Sequence, residues 1–275
     1  ALADREWATP GAAGAAVAVV LPLAAAATVA GVVLAVGYLN PWLSVVAAVL
    51  SLFASTSRRM LLSLARDVVA ESDHDLAAAR EDLLGLAGRD ASALSPAQVR
   101  SAAVESAAEN LADGLVAPLL AFVVALPFGI AAGAGAAAWV KAVNTLDSML
   151  GYPSKPHGTA SARLDDAVMW LPARVSAGLL AFAGGRPGSL GRARAWLPGV
   201  PSPNSGWPMG ALAATVDVRL EKPGVYVLNP NAPLPPTQIA ERAFAVVDRA
   251  GWLAVASAAA LALAVPMPAE VLALP

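Results

Sequence analysis

Between Lys141 and Arg174 the chain carries Lys141, Asn144, Thr145, Asp147, Ser148, His157, Ser161, Arg163, Asp165, Asp166 and Arg174, a polar stretch set between two membrane-like segments. Cations beside carboxylates in this number suit chemistry on phosphate: lysine and arginine hold the oxygens, and carboxylates hold a divalent metal or take a proton. The block is flanked by apolar segments. A charge at membrane depth costs about 2.5–3.5 kcal/mol even on the most lenient scale, so ionisable groups placed there mark a binding or reaction site. We read the block as an active site at a membrane surface.

Within it, Lys141, Asn144, Thr145 and Ser148 recur at i, i+3, i+4 and i+7, one polar face of a helix that Gly151-Tyr152-Pro153 ends. The loop through Lys155, His157 and Gly158 is polar enough to close on a ligand. His157, a lone loop histidine, is read as a surface residue. A second helix opens near Ser161 and puts Arg163, Asp166, Trp170 and Arg174 on one stripe running into the apolar segment 167–183. Arg174 then lies at or near membrane depth. There it faces either a functional cavity or an aspartate in a structural ion pair.

Upstream, Glu105, Glu109 and Asp113 follow one another at four-residue spacing, with Asn110 beside Glu109. Three stacked carboxylates repel unless a cation relieves them. The stack is either a face for a divalent metal or an amine, or an exposed acidic face paired with arginines; spacing alone leaves both open.

These groups need a scaffold, and composition says which. The 275 residues are 57% hydrophobic and 14% charged, with no cysteine and a formal charge of −2. Disulfides and thiolate metal sites are excluded, and neither a basic surface nor an aromatic platform offers itself to nucleic acid. Residues 11–39 form an uncharged run long enough to cross the bilayer core, Asn40-Pro41 is a turn, and 42–56 returns as a shorter apolar segment, together a helical hairpin. Arg58 and Arg59 place that end in the cytoplasm by the positive-inside tendency. From Arg66 to Asp113 charges alternate with leucine and alanine as in a soluble helical region with solvated faces, and Ser95-Pro96 caps its second helix.

Residues 115–140 are apolar but interrupted at Pro118, Pro127 and Gly129. They either span once or break near Pro127-Phe128-Gly129 into a re-entrant pair; the latter is favoured if the two polar clusters serve one reaction. The glycines from Gly129 to Gly135 read as helix packing in lipid rather than a phosphate loop. The region 184–252 reads as loops, with Pro203-Asn204-Ser205-Gly206-Trp207-Pro208 as a rigid turn, and 252–266 as a last, short membrane segment. The expected fold is all-α: a polytopic membrane protein with four to five membrane segments, one of them re-entrant in the favoured form, and cytoplasmic helical and loop regions. The three lysines, Lys141, Lys155 and Lys222, all fall in segments read as functional.

Four motifs stand in order: Glu105-x-x-x-Glu109-Asn110-x-x-Asp113-Gly114; Lys141-Ala142-Val143-Asn144-Thr145-Leu146-Asp147-Ser148-Met149-x-Gly151-Tyr152; Ser161-Ala162-Arg163-Leu164-Asp165-Asp166 with Pro172-Ala173-Arg174; and Pro203-Asn204-Ser205-Gly206-Trp207-Pro208. Together they resemble the CobD/CbiB family of cobalamin biosynthesis, the adenosylcobinamide-phosphate synthases, from about Arg66 to Tyr226. The family usually opens with an acidic element containing Gly-Pro and His-Pro. This chain lacks it and starts at Ala1 with Asp4, Arg5 and Glu6 instead of a signal pattern, so a single membrane-embedded domain over 1–275 without its N-terminal element is expected.

The resemblance implies an ATP-dependent ligase in a cell membrane, its site facing the cytoplasm, that joins adenosylcobyric acid to aminopropanol or its phosphate. ATP and Mg²⁺ would be required. Glu109, Asp113, Asp147, Asp165 and Asp166 would be the catalytic carboxylates, with Mg²⁺ drawn from Glu105, Glu109, Asp113, Asp147 and Asp166. Lys141, Arg163 and Arg174 would bind phosphates, and Asn144, Ser148, Asn204 and Trp207 would position substrate or the corrin edge. Membrane lipid, a second copy or other cobalamin-assembly membrane enzymes would be its neighbours. A transporter would use the same intramembrane arginine but calls for an inverted repeat, which the sequence does not display. An AmpE-like membrane sensor would keep the helices but has no use for so many polar motifs.

Overall fold

The computed structural model describes residues 10–56, 58–87, 90–151 and 158–265. Helices dominate: α1 (Pro10–Leu39), α2 (Pro41–Ala54), α3 (Arg58–Glu71), α4 (Leu76–Ala87), α5 (Pro96–Leu111), α6 (Ala117–Ala125), α7 (Ile130–Leu150), α8 (Thr159–Val168), α9 (Trp170–Ala183), α10 (Ser189–Arg194), α11 (Gly206–Val216) and α12 (Thr237–Ala264). A two-stranded antiparallel sheet, β1 (Leu220–Lys222) and β2 (Tyr226–Leu228), is the one exception among the described residues. Three helical stretches are long and apolar enough to cross a membrane: 11–39, 96–128 and 237–264. The all-α, multi-pass expectation holds.

The described chain packs as two compact units. The first takes in residues 10–56, 117–151, 158–169 and 255–265. Here α1 and α2 form the expected hairpin. Asn40 caps α2 by accepting from the Trp42 N–H at 2.8 Å, a side-chain acceptor for one of the donors every helix start leaves orphaned. Val20, Leu34, Phe53 and their like project outward. A helix apolar all round with its large side chains uncovered is built for lipid. α6 and α7 pack against one another across the break at Pro127-Phe128-Gly129. The reversal needs Gly129, whose φ of +111° side chains avoid. Small residues then let α7 close in: a Cβ on Gly133 would lie 3.1 Å from the Phe122 carbonyl oxygen, and one on Gly135 3.0 Å from that of Ala26.

The second unit holds residues 58–87, 90–116 and 170–254. Phe244, Leu83, Leu111, Leu180, Met209 and Leu212 are fully buried in it. Ser95 opens α5 with a capping box: its side chain accepts from the Gln98 N–H, and Gln98 accepts from the Ser95 N–H. Buried Arg100 donates to Asp73 at 2.6 Å, Ser72 at 3.0 Å and the Pro235 carbonyl at 2.9 Å, while Thr237 donates to Asp73 at 2.6 Å. One guanidinium thus ties α5 to the α3–α4 turn and the start of α12. Asp73, grouped above with a solvated helix face, has a structural partner instead.

Two further expectations need correction. The helix opened by Ser95 is not a soluble surface helix ending at Asp113: it continues through a π turn (Ala112–Val116) into α6, and the whole stretch passes as a span. Its charges obscured this, but Ala102, Ala103, Ala107 and Ala108 are all buried and give it an internal packing face. The region 184–252 is not loops. It contains α11, almost wholly buried, the β-hairpin and the first half of α12. Pro203, Pro208 and Pro223 masked these elements because proline is a turn signal that a helix also accepts in its first turn. The last membrane helix accordingly begins at Thr237 rather than Trp252, its charged first turns leading into the apolar run.

Candidate functional site

Within the first unit, α7 and α8 bring three carboxylates into one electrostatic neighbourhood. The α7–α8 junction is tight: a Cβ on Gly158 would lie 1.7 Å from the Leu150 carbonyl oxygen, and one on Gly151 1.9 Å from Asp147 Oδ1. Two glycines therefore set how closely α8 returns to the end of α7. Asn144 Nδ2 donates to Asp165 Oδ1 at 3.5 Å, a long contact at the edge of hydrogen-bond range. Burial, then the charges of Asp147 and Asp166, push the Asp165 carboxyl up to about 7 against that hydrogen bond. Burial and the Asp166 charge raise Asp147 in the same direction. Carboxyls raised by burial and by neighbouring carboxylates suit a proton acceptor or a cation ligand.

The polar face expected on α7 divides. Asn144 turns to α8, whereas Lys141 and Thr145 line an apolar groove with Leu21, Val29 and Ser51 of α1 and α2. Thr145 and Ser148 donate to the Lys141 and Asn144 carbonyls of their own helix at 2.8 and 3.0 Å, the usual way helical hydroxyls satisfy themselves. Arg163 is exposed on α8, and Ser161 is buried. Tyr152, Lys155 and His157 lie outside the described residues.

Within the second unit, α9, the 202–205 turn and α11 assemble a group that the sequence named residue by residue but did not connect. Arg174 donates to Asn204 Oδ1 at 3.0 Å and to the Trp170 carbonyl at 2.7 Å. Its guanidinium carbon lies 4.3 Å from the centroid of the Trp170 ring and 5.1 Å from that of Trp207. The partners are thus an amide and two indole faces rather than the aspartate of a structural ion pair, and each indole contributes roughly 0.5–2 kcal/mol of cation–π attraction. Ser202 Oγ accepts from the N–H groups of Asn204 and Ser205, both at 3.2 Å, which fixes the turn.

Beside this turn is a cavity of ≈ 190 Å³. One wall is the α5 face of Ala102, Glu105, Ser106 and Glu109, at i, i+3, i+4 and i+7. The β-hairpin register pairs Lys222 with Tyr226, so both reach the cavity, and Ser202 and Ser205 complete it. Glu105, 2% exposed, accepts from Ser101 Oγ at 2.8 Å through Oε1 and from the Tyr226 hydroxyl at 2.7 Å through Oε2. Each Glu105 oxygen thus accepts from a protein hydroxyl. Asp113 sits in the π turn and leaves the cavity wall, because a turn of wider pitch breaks the four-residue stacking of Glu105, Glu109 and Asp113. Tyr226 and Lys222 had only their neighbourhood in a turn-rich stretch to announce them.

Among the described residues no three His, Cys, Asp or Glu side chains converge to hold a metal ion. A protein-only cage is therefore not what these carboxylates make. Asp147 and Asp166, whose charges interact, are by donor type a pair that suits a Mg²⁺ keeping waters and completing its shell with polyphosphate.

The family described as CobD/Cbib protein matches residues 2–262. A "Probable cobalamin biosynthesis protein CobD" of Methanothrix thermoacetophila is 39% identical over 201 residues, covering 71% of this chain and 63% of that protein. A "Cobalamin biosynthesis protein CobD" of Citrobacter koseri is 36% identical over 251 residues, 86% of this chain and 76% of its own length. A "Cobalamin biosynthesis protein CbiB" of Salmonella typhimurium is 36% identical over 201 residues, 68% of this chain and 60% of its own. The matched part thus spans about three fifths of several of these relatives. No solved structure matches.

Proposed function

The chain belongs to the CobD/CbiB family of cobalamin biosynthesis, and on that premise we propose that it is the ATP-dependent ligase joining adenosylcobyric acid to aminopropanol or aminopropanol phosphate. The reading needs two events. A carboxylate oxygen of the corrin attacks the γ-phosphorus of ATP and ADP leaves; the amine nitrogen then attacks the acyl carbon, phosphate leaves, and the proton lost by nitrogen passes to a carboxylate. ATP, corrin acid and amine give amide, ADP, phosphate and a proton.

The observation that carries the reading is the cluster of Asp147, Asp165 and Asp166 at the α7–α8 junction, where burial and neighbouring carboxylates raise the first two. Asp165, poised at about 7, is suited to take the ammonium proton at neutral pH. Asp147 with Asp166 would hold Mg²⁺, which when bound offsets the polyphosphate charge. Lys141 and Arg163 would bind phosphate oxygens. The Arg174 guanidinium, fixed by Asn204 and two indoles, would present its remaining N–H donors to a corrin amide or a phosphate. ATP supply argues for a cytoplasmic-facing site in a cell membrane.

The test is a mass-detected assay of the full-length protein in detergent with adenosylcobyric acid, ATP, Mg²⁺ and either amine. Condensed amide formed with stoichiometric loss of ATP is the expected result. Corrinoid binding with no amide from either amine would overturn the ligase reading.

A further inference from the structure

We propose that the groove between α1, the end of α2 and α7 is a binding site for an anionic diacyl phospholipid of the phosphatidylglycerol kind, with the lipid phosphate on Lys141 and an acyl chain along the apolar lining. The groove lies wholly within the first unit, and the proposal does not depend on the ligase reading. Its origin is a difference in length. α2 has 14 residues, about 21 Å at 1.5 Å per residue, and so stops short of a hydrocarbon core of roughly 30 Å. α1, its 30-residue partner across the Asn40 turn, continues past that end with α7 packed on it through Gly135 and Ala26. What α2 leaves uncovered is a groove of ≈ 440 Å³, lined on its apolar side by Leu21, Val29, Ala54, Ala138, Ala142 and Leu146. The helices that frame it expose Leu23, Leu50 and Phe53, side chains suited to hydrocarbon. A short segment of this kind is accommodated by local thinning of the bilayer, which draws lipid phosphates down toward a snorkelling lysine.

Charge selects the occupant. Lys141 is the one charged residue of the lining, half-buried, and no carboxylate joins it there. Among the described residues its ammonium has no hydrogen-bond or ion-pair partner. The charges that raise Asp147 and Asp165 come from carboxylates, with Lys141 not among them, so the acids of the α7–α8 junction do not neutralise it. A cation set against apolar surface calls for an anion. A polyphosphate is a poor match, because it needs several cationic groups and a metal held by carboxylates, and it has no use for the apolar lining. A single negative charge joined to hydrocarbon answers both halves of the groove. The hydroxyls refine the choice. Ser51, Ser55 and Thr145 donate to the Ala47, Ser51 and Lys141 carbonyls of their own helices at 2.7, 2.8 and 2.8 Å, which leaves them acceptor lone pairs for a ligand. Glycerol hydroxyls donate to such acceptors without adding a positive charge beside Lys141, whereas choline donates nothing and ethanolamine adds the charge. The phosphate oxygens that Lys141 meets are then those of the lipid.

The test is native mass spectrometry of the full chain released from detergent, titrated with phosphatidylglycerol, phosphatidylethanolamine and phosphatidylcholine of the same acyl chains. Wild type should hold one phosphatidylglycerol at least tenfold more tightly than either zwitterionic lipid, and that lipid should raise its melting temperature. Lys141→Gln should abolish the preference and the melting shift, and Lys141→Arg should keep most of both. Ala142→Leu, which narrows the groove without touching the charge, should weaken phosphatidylglycerol at least tenfold. Equal retention of the three lipids by wild type, a preference that survives Lys141→Gln, or full binding in Ala142→Leu would each overturn the proposal. So would displacement of the lipid by inorganic phosphate, ATP or adenosylcobyric acid, since Lys141 would then serve a soluble anion.

Discussion

Arg174 on α9 donates to Asn204 Oδ1 at 3.0 Å, joining residues separated by 30 positions of sequence. The bond aims a guanidinium that two indoles already flank, and a lysine could reproduce neither the planar fork nor the stacking. Hydrogen bonds to charged groups contribute about 1.5–3 kcal/mol each. If the pair positions substrate, Arg174→Lys should lower kcat/KM by about 10- to 100-fold, and Asn204→Ala by a similar factor, with the double variant little worse than either alone. Steady-state kinetics on the three proteins checks this; strictly additive losses would mean that the two residues act separately.

Asp165 sets a pH dependence of two kinds. Its carboxyl is pushed up to about 7 by burial and by the charge of Asp147, so it is protonated below that pH and ionised above. As proton acceptor it should make kcat/KM rise through about pH 7 and level off, a limb that Asp165→Asn removes. Stability runs the other way. Between the ordinary carboxylate value and about 7 the folded state holds a proton that the unfolded chain has lost, so stability falls as pH rises across that window. Asp165→Asn should therefore melt above wild type at pH 8 and converge with it toward pH 4. Parallel melting curves at all pH values would mean that Asp165 does not titrate near 7.

The membrane hairpin of α1 and α2 and the cap of α5 were legible because they depend on local chemistry: uncharged length, an Asn-Pro start, a Ser-Pro start. The individual polar residues of the site were legible for the same reason. What the sequence left out was everything made by distance. The bond between Tyr226 and Glu105 crosses 121 residues, and the pairing of Lys222 with Tyr226 exists only once Pro223-Gly224 turns a hairpin. The π turn in which Asp113 falls adds a residue to one helical turn without any composition signal. Gln98, unmarked in the sequence, completes the α5 cap and also donates to Glu221 at 3.0 Å.

Acid should loosen the second unit before it touches the first. Hydrogen bonding from Thr237, then from Arg100, holds the Asp73 carboxyl below its usual range, and Arg192 does the same for Asp217. A depressed carboxyl contributes stability that is present above the unfolded value and lost as pH falls through the folded one. Hydrogen exchange between pH 5 and 3 should show the α3–α4 turn and the start of α12 opening first. Asp73→Asn should raise exchange there already at pH 7, while Arg100→Ala, which strands the Pro235 carbonyl and Ser72, should cost about 1–3 kcal/mol of global stability.

The two glycines at the α7–α8 junction separate packing from chemistry. At Gly158 an added Cβ meets the Leu150 carbonyl at 1.7 Å, and backbone at the end of a helix has nowhere to go. At Gly151 it meets the Asp147 carboxylate at 1.9 Å, the end of a side chain that can rotate away. Gly158→Ala should therefore destabilise the protein by several kcal/mol, within the range of overpacked cores, and lower activity through loss of folded enzyme. Gly151→Ala should leave most of the melting temperature intact and still cut turnover, because the displaced carboxylate is one of the pair proposed to hold Mg²⁺. The measurement is melting temperature alongside turnover per folded molecule, with the Mg²⁺ concentration for half-maximal rate as the third readout. An unchanged Mg²⁺ requirement in Gly151→Ala would detach Asp147 from the metal, and equal melting temperatures for the two variants would mean that the junction yields at Gly158 as readily as a side chain does.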